Sequence, residues 1–281
     1  MTGDPDPEIR PISSIDEFHA VEQLQRDVWG IPDLDVVSLY HLIAVKAAGG
    51  VLLGAFDREE LVGFVYGFVG WERGRPVHHS HMLAVKDGYR SHGLGYRLKL
   101  EQRNFVLEQG IDVMTWTFDP LQSRNAFFNF RKLGVVADTY YPDFYGSDAA
   151  SFLHRNATDR LWVSWHVSHE HVTDRLQGED SVEESNDLES IVAVGESGSP
   201  IVKELESLGA PDRVAIEIPG NISEIESSDP NLARDWRMAT RESFIAAIEA
   251  GFLVEDYRVR DRSKRKIGYY VLNRRSELRL W

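Results

Sequence analysis

An arginine and two glycines mark the place where an apolar run of the sequence gives way to a helical pattern. The stretch HMLAVKDGYRSHGLGYRLKLEQ, residues 81–102, carries Arg90, Gly93 and Gly95 in the spacing R-x-x-G-x-G. A helix N-terminus has unpaired N–H groups and a partial positive charge, and glycine lets a ligand approach the backbone closely. The pattern therefore predicts an anion site.

Two familiar phosphate motifs do not fit this stretch. A P-loop ends in Gly-Lys-Ser or Gly-Lys-Thr, and neither triplet follows the glycines here. The dinucleotide fingerprint G-x-G-x-x-G has Leu98 at the place of its third glycine. A glycine pair before a helix also occurs as an ordinary tight turn, so the surrounding elements must decide.

Composition excludes several classes of protein. The chain has 281 residues, 42% of them hydrophobic, which predicts one large domain or two smaller ones with a proper core. A net charge of -14 argues against a general nucleic-acid binder, although a local basic patch stays open. The absence of cysteine excludes disulfides, thiolate metal sites and a cysteine nucleophile. No apolar run is long enough for a bilayer, and MTGDPDPEIRP is unlike a signal peptide, so we expect a soluble, cytoplasmic protein.

The apolar periodicity predicts a mixed α/β order of elements around the glycine turn. A helix over about 15–28, capped by Ser14 and Glu17, and a second helix ending at Gly49 come before three β-like runs. A helix over about 94–109 follows the turn, so the next strand, IDVMTWTF, is predicted to be parallel to HMLAV. The further predicted elements are a short helix SRNAFFNFRKLG ending at Gly134 and the strands VVADTYY and DRLWVSWHV.

The C-terminal third has a different composition. Residues 174–198 are acidic and serine-rich, which is typical of a solvated linker. Residues 199–281 predict a smaller α/β extension, with a helix from Pro230 to Ala250 that Asp229 caps.

Two separated motifs resemble those of one family. LAVKDGYRSHGLGYRL and SRNAFFNFRKLG resemble, in order and separation, the motifs of the GNAT superfamily of acyl-CoA-dependent N-acyltransferases. The resemblance covers residues 9–168 and implies a mixed, mostly antiparallel sheet flanked by helices. The long tail and WTFDPLQSRNAFFNFRKLG are similar to a group of predicted acetyltransferases, some encoded near N-acylamino-acid racemases.

The resemblance implies an acyl-CoA donor, acetyl-CoA or another. Its pantetheine arm would lie like an added strand between HMLAV and IDVMTWTF, with the diphosphate on the turn and the Leu83 N–H at the oxyanion. Helix capping explains Ser123 and Asn125, and a surface position explains Lys132, about as well. The implied cofactor residues are Leu83, Ala84, Val85, Arg90, Ser91, His92, Gly93, Leu94, Gly95, Tyr96, Ser123, Asn125, Asn129 and Lys132.

The sequence departs from the family at the catalytic acid. Many GNAT enzymes carry a tyrosine four residues before the KLG glycine, and here that residue is Phe130. Tyr140, Tyr141 or Tyr145 could protonate the leaving thiolate, or the thiolate leaves without an acid. Tyr145 is the one that we place in the predicted site.

The base and the acceptor are predicted from residue type. Histidine has the right pKa to take a proton from an ammonium group, and we prefer His81 over His79 and Glu72 because it precedes Leu83 by two residues. A histidine at a strand edge explains it equally well. An amino-acid acceptor would need a cationic partner for its carboxylate, predicted at Arg124, Arg237 or Arg241, although a solvated basic helix face also explains the last two.

Two reaction classes stay open. As an enzyme, the protein transfers an acetyl, or a succinyl, group to a primary amine of a small molecule. As a binding module, it keeps the CoA groove without turnover, which the phenylalanine at 130 favours. The histidines of HVSHEH and VHHSH also suggest a metal, but no carboxylate has matching spacing, so we expect none.

Overall fold

The computed structural model describes residues 6–146, 157–178, 188–209, 211–262 and 265–278. Two compact units divide the chain, the first ending at Trp116 and the second beginning at Thr117. The predicted boundaries, 9–168 and 199–281, stay predictions.

The first unit has the element order that the sequence predicted. Its strands lie in the order β1-β2-β3-β4-β5, antiparallel except for β4 and β5, which are parallel. Two short 3-10 turns, Asp33–Asp35 and Asp87–His92, complete it. The elements are β1 (Glu8–Pro11), α1 (Ile15–Trp29), α2 (Leu39–Ala47), β2 (Val51–Asp57), β3 (Glu60–Glu72), β4 (Arg75–Val85), α3 (Leu94–Glu108) and β5 (Val113–Phe118), whose last two residues fall in the second unit.

Helix α1 begins where its capping box predicts. The Ser14 hydroxyl accepts a hydrogen bond from the Glu17 N–H at 3.2 Å, and the Glu17 carboxylate accepts one from the Ser14 N–H at 3.1 Å. Arg10, 2.7 Å from the same carboxylate, holds the pKa of Glu17 at about 2. Phe18 and Val21 then turn into the core of the unit. The helix ends at Gly30 in the left-handed conformation that glycine favours.

The second unit carries the rest of the chain. Its strands lie in the order β7-β6-β11-β12-β10-β8-β9. Helix α4 continues as a π-helical turn, Phe127–Leu133, and ends at Gly134 with φ 73°, as predicted. The elements are α4 (Ser123–Ala126), β6 (Val136–Tyr141), β7 (Arg160–His166), α5 (Glu170–Gln177), β8 (Ser190–Val194), β9 (Pro200–Val202), β10 (Arg213–Pro219), α6 (Ile222–Ser228), α7 (Pro230–Glu249), β11 (Leu253–Arg262) and β12 (Arg265–Asn273).

The predicted linker 174–198 contains regular structure at both ends. Helix α5 runs to Gln177, and β8 begins at Ser190 and buries Ile191 and Val192. Strand β8 pairs with β10, so it belongs to the sheet of the second unit. The acidic composition masked this short apolar run, and residues 179–187 lie outside the described residues.

The length and apolar content of its helices decide whether the described part of the chain could cross a membrane. No single helix there is long and apolar enough to cross a bilayer. The segments Ile15–Trp29 and Asp33–Ala47, bent by 120°, pass together on length and composition alone, as core helices also do.

The two serine N-caps of the first unit predict different costs of substitution. Ser14→Ala removes a bonded cap, and we expect the free energy of unfolding to fall by about 1 kcal/mol. Ser38, the N-cap of α2, makes no side-chain cap bond, so Ser38→Ala should change it by less than about 0.5 kcal/mol. Urea denaturation measures both. Equal losses in the two variants would contradict the cap assignment.

Candidate functional site

One edge of β4 loses its strand partner towards the carboxyl end. On the β5 side the paired residues are His78 with Met114 and His79 with Thr115, and within the described part of the unit the pairing goes no further. On the other side β4 stays paired with β3 as far as Val85. The predicted parting of the two parallel strands is therefore present.

The register of β4 shows which backbone groups face the open edge. Val85 lies opposite Gly63, and the Lys86 N–H donates to the Val62 carbonyl at 2.9 Å. In an antiparallel ladder this bond makes Val85, and with it Leu83, members of non-hydrogen-bonded pairs. The N–H groups of Leu83 and Val85 consequently point away from β3, while Ala84 is bonded to β3.

A β-bulge interrupts β4 just before this edge. Met82 lies opposite Tyr66 and Ser80 lies opposite Gly67, which leaves His81 as an extra residue. A bulge bends its strand and re-aims the neighbouring side chains. No local pattern predicts the bulge, because a one-residue register shift is defined only against the partner strand.

The glycine turn opens a helix end beside Leu83. Gly93 has φ 73°, and no side chain caps the first turn of α3. A Cβ on Gly95 would lie 3.4 Å from the Leu83 side chain, which shows how closely the helix end approaches β4. Arg90 donates to the Val85 carbonyl at 3.0 Å and pairs with Asp87 at 2.5 Å.

These elements bring the first-motif residues together. Gly95 lies beside the Leu83 side chain and Arg90 bonds to the Val85 carbonyl, while Leu94 is buried and His92 is exposed. The side chain of Ser91 lies outside the described part of the structure. Uncapped N–H groups, a positive helix end and the Arg90 guanidinium suit a bound diphosphate.

A cluster of rings lies on one face of β3 and β4 beside the bulge. The ring centroids of Phe68 and His79 are 5.3 Å apart, those of Phe68 and His81 are 5.9 Å apart, and those of Tyr66 and His81 are 6.0 Å apart. His41 of α2 lies 6.2 Å from Tyr66. The Tyr66 side chain is 1% exposed and its hydroxyl has no partner among the described residues. We call these five rings the ring cluster.

Two imidazoles of the ring cluster, those of His79 and His81, have a lowered pKa. Burial, and then repulsion from His81, lowers the pKa of His79 to about 4. Removal of water by its neighbours, and then repulsion from His41, lowers the pKa of His81. His79 shares a hydrogen bond with Thr115 at 3.2 Å. The His81 ring contacts other rings but has no side-chain hydrogen bond among the described residues. Glu72 lies at the far end of β3, opposite Arg75.

A buried polar network lies behind β4, and sequence reasoning missed it. Lys99 of α3 is 4% exposed and donates to the Ser80 hydroxyl at 2.6 Å, which donates to Gln102 at 2.8 Å. Gln102 lies 3.1 Å from the His78 ring, and the Trp116 ring lies 3.7 Å from the Lys99 ammonium nitrogen. Burial lowers the pKa of Lys99 to about 7. A helical lysine is normally read as solvated, so no local pattern signals this position.

Glycine 67 is required by this network. A Cβ there would lie 2.4 Å from the His78 ring and 2.7 Å from the His79 carbonyl oxygen. Because glycine has no Cβ, it leaves space at position 67 for the His78 ring and the His79 carbonyl oxygen.

The second-motif residues lie in the second unit. Ser123 accepts a hydrogen bond from the Tyr257 hydroxyl at 2.8 Å, and the N-cap of α4 is Gln122, so helix capping does not explain Ser123. Asn125 and Lys132 are exposed, and Asn129 is buried. Their predicted part in cofactor binding stays a prediction.

Phe130, at the position of the family tyrosine, is a core residue. Its side chain is 0% exposed, and its ring lies 6.2 Å from Phe118 and 5.6 Å from Tyr270. It has no proton to donate and no solvent around it.

The tyrosines proposed in its place differ in their surroundings. Tyr140 is buried and donates to Asp159 at 2.6 Å, and burial followed by the Asp159 charge raises its pKa well above the ordinary value. Tyr141 and Tyr145 are exposed. Tyr145 packs edge-on against Phe144 at 4.9 Å, and the Arg160 guanidinium lies 5.2 Å from its ring. A role as acid suits an exposed tyrosine better than Tyr140, and Tyr145 stays the predicted one.

Arg237 and Arg241 of α7 bind internal carboxylates, so the interpretation of a solvated basic face is wrong for these two residues, whereas Arg234 is exposed. Arg237 is 2% exposed and makes two hydrogen bonds to Asp119, at 2.8 and 2.9 Å. Arg241 binds Asp159 at 2.8 Å and Asp143 at 3.1 Å. Internal carboxylates already match both charges, which argues against their capture of a substrate carboxylate. Arg124 is exposed.

Two histidines of HVSHEH, His169 and His171, lie at the start of helix α5. His169 is the N-cap of α5 and accepts a hydrogen bond from the His171 N–H at 3.2 Å. Within the described ranges no three histidine or acidic side chains are grouped to hold a metal ion.

Comparisons with known proteins agree with this geometry. No protein of curated function matches the chain. The family model "Acetyltransferase (GNAT) family" matches residues 15–134.

Several solved structures are similar, all at low identity. An aminoglycoside 6'-acetyltransferase type Ii is 19% identical over 57% of this chain and 97% of its own, with a TM-score of 0.45. A putative GNAT acetyltransferase from Desulfovibrio desulfuricans is 15% identical over 58% of this chain and 99% of its own, with a TM-score of 0.48. The ribosomal-protein-S18-alanine N-acetyltransferase from Escherichia coli is 13% identical over 58% and 95%, with a TM-score of 0.46. These identities and TM-scores are too low to assign the substrates of these proteins to this chain.

The family match includes the parted strands, the glycine turn and the second motif. The donor used by this family is an acyl-CoA, which the open edge of β4 and the uncapped end of α3 suit. Residues 15–134 match the model of the GNAT acetyltransferase family.

Proposed function

We propose that the chain is an N-acyltransferase that moves an acetyl group from acetyl-CoA to a primary amine by direct attack. The observation that carries the proposal is the pair of Leu83 and Val85 N–H groups facing the open edge of β4, next to the uncapped start of α3. A succinyl donor stays open, because the same backbone groups would bind either thioester. A cytoplasmic location also stays a prediction.

The donor would bind mostly through backbone groups. The pantetheine amides bond to the free edge of β4 as an added strand would. The diphosphate would accept hydrogen bonds from the first N–H groups of α3, and Arg90 could contribute its charge there only by sharing it with Asp87. The Leu83 N–H, which points away from β3, would donate to the thioester oxygen, where negative charge develops when the amine attacks.

The acceptor amine is placed against the ring cluster. An amine enters as an ammonium ion and must lose a proton before its nitrogen can attack the carbonyl carbon. The uncharged His81, at the bulge two residues before Leu83, is the proposed base, and His79 is the next candidate. The carbon–sulfur bond then breaks, and the CoA thiolate leaves with a proton from Tyr145 or from water. Ring faces also attract an ammonium group before it loses its proton.

An amino-acid acceptor is the narrower form of the proposal. Its carboxylate requires a cation that is not already engaged. Arg124 meets this condition better than Arg237 or Arg241, whose carboxylate partners would have to be displaced.

The second candidate function is a binding module without turnover, and the buried Phe130 favours it. Release of free thiol from acetyl-CoA and succinyl-CoA, measured over amino acids, an aromatic amine, a peptide N-terminus and a polyamine, separates the two. We expect release with at least one primary amine, since positioning and the oxyanion donor supply much of the rate. Tight CoA binding with no release from any amine would establish the binding module.

Gly93→Asp tests the donor site. A carboxylate at the start of α3 repels the diphosphate, so the CoA dissociation constant in calorimetry should rise by about tenfold or more. Gly110→Asp is the matched control, because Gly110 at the other end of α3 also has a positive φ, 71°, and open space around its Cα. Both variants carry the same backbone strain and charge. Equal CoA affinity in the two would place the diphosphate elsewhere.

His81→Gln tests the base. We expect kcat to fall by about 100-fold or more, as for other lost general bases. The base works uncharged, and its pKa is lowered, so the ratio of wild-type to variant rate should be constant at neutral pH and fall only below about pH 6.5. His19→Gln, at an exposed position on α1, is the control. A wild-type rate in His81→Gln would move the assignment to His79 or to an amine that arrives neutral.

A further inference from the structure

The turn between β5 and α4 is held by side chains from the distant C-terminal part of the chain. Asp119 shapes this turn, because its carboxylate accepts the Leu121 N–H at 2.9 Å and its carbonyl accepts the Gln122 N–H at 3.0 Å. Residues 119–123 lead directly into the second motif. We call them the motif turn.

Arg237 of α7 fixes the start of the motif turn. Its guanidinium binds both carboxylate oxygens of Asp119, and the pair is nearly closed to water. A two-bonded arginine–carboxylate pair sets orientation as well as distance. The Asp119 carboxylate is therefore fixed while it holds the Leu121 N–H.

Two tyrosines of the tail fix the rest of the turn. The Tyr270 hydroxyl donates to the Pro120 carbonyl at 2.6 Å, and the Tyr257 hydroxyl donates to Ser123 at 2.8 Å. The Tyr270 ring also packs against Phe130 of the motif itself. Burial raises the pKa of both tyrosines, so both keep the proton that they donate.

The neighbouring strand leaves space for one of these contacts. A Cβ on Gly268 of β12 would lie 1.6 Å from the Tyr257 hydroxyl. Tyr257 can cross β12 and reach Ser123 only because residue 268 is glycine.

We infer that the C-terminal extension completes the acetyltransferase domain, with Arg237, Tyr257 and Tyr270 as positioning residues for the second motif. The inference rests on the proposed function for its effect on CoA, through the predicted cofactor contacts of Ser123 and Asn125. The effect of these residues on the conformation of the motif turn does not depend on CoA, because it follows from their hydrogen bonds to that turn.

Tyr257→Phe removes one hydroxyl and keeps the ring. We expect the CoA dissociation constant to rise about three- to tenfold, the usual effect of one lost hydrogen bond. Ser123→Ala should give at least as large a rise, because it removes the predicted CoA contact as well as the bond to Tyr257, and the double variant should bind CoA no more weakly than Ser123→Ala alone. Tyr269→Phe, the neighbouring residue before Tyr270 on β12, is the control and should keep wild-type affinity.

Hydrogen exchange of the backbone amides of residues 119–126 gives a readout independent of CoA. In Tyr257→Phe and in Gly268→Ala, which displaces Tyr257 without removing its hydroxyl, exchange there should rise about threefold or more, with residues 94–108 unchanged. Unchanged exchange in both variants, or CoA effects that multiply in the double variant, would overturn the inference. If the wild type bound no CoA, the proposed function would fail, and the exchange data alone would still decide whether the tail positions the motif turn.

Discussion

The parting of β4 from β5 is the constraint on which the donor site depends. Backbone N–H and C=O groups need hydrogen-bond partners, and from Ser80 onwards the described part of β4 has no strand on its β5 side. Arg90 supplies a partner for the Val85 carbonyl, and the first turn of α3 lies against the Leu83 side chain. The groups that stay open, the N–H groups of Leu83 and Val85, are donors that an extended amide chain can use.

The surroundings of β4 also lower the pKa values of the histidines on this strand. The pKa values of His79 and His81 are lowered, and burial, followed by repulsion from Lys99, lowers the pKa of His78 behind the strand to about 3. An uncharged histidine accepts a proton, whereas a charged one would repel an incoming ammonium ion. The bulge at His81 and the narrow space at Gly67 are the backbone features that arrange these rings.

Local patterns predicted the elements and the anion turn. The capping box at Ser14, the glycine turn and the helix end at Gly134 each depend on a few neighbouring residues, and the structure has all three. The bulge at His81 and the burial of Lys99 depend on partners that lie on other elements. The ion pair of Arg237 joins residues 118 positions apart, so its helix showed an arginine stripe and not the carboxylate that binds it.

The burial of Lys99 has a consequence for how the protein tolerates its own donor. A lysine with a pKa of about 7 is uncharged in a large share of molecules at neutral pH, and an uncharged amine attacks thioesters. Exposed lysines keep their charge and react slowly. Because Lys99 is buried, with Ser80 and Trp116 against its nitrogen, this amine is shielded from an acyl-CoA in solution.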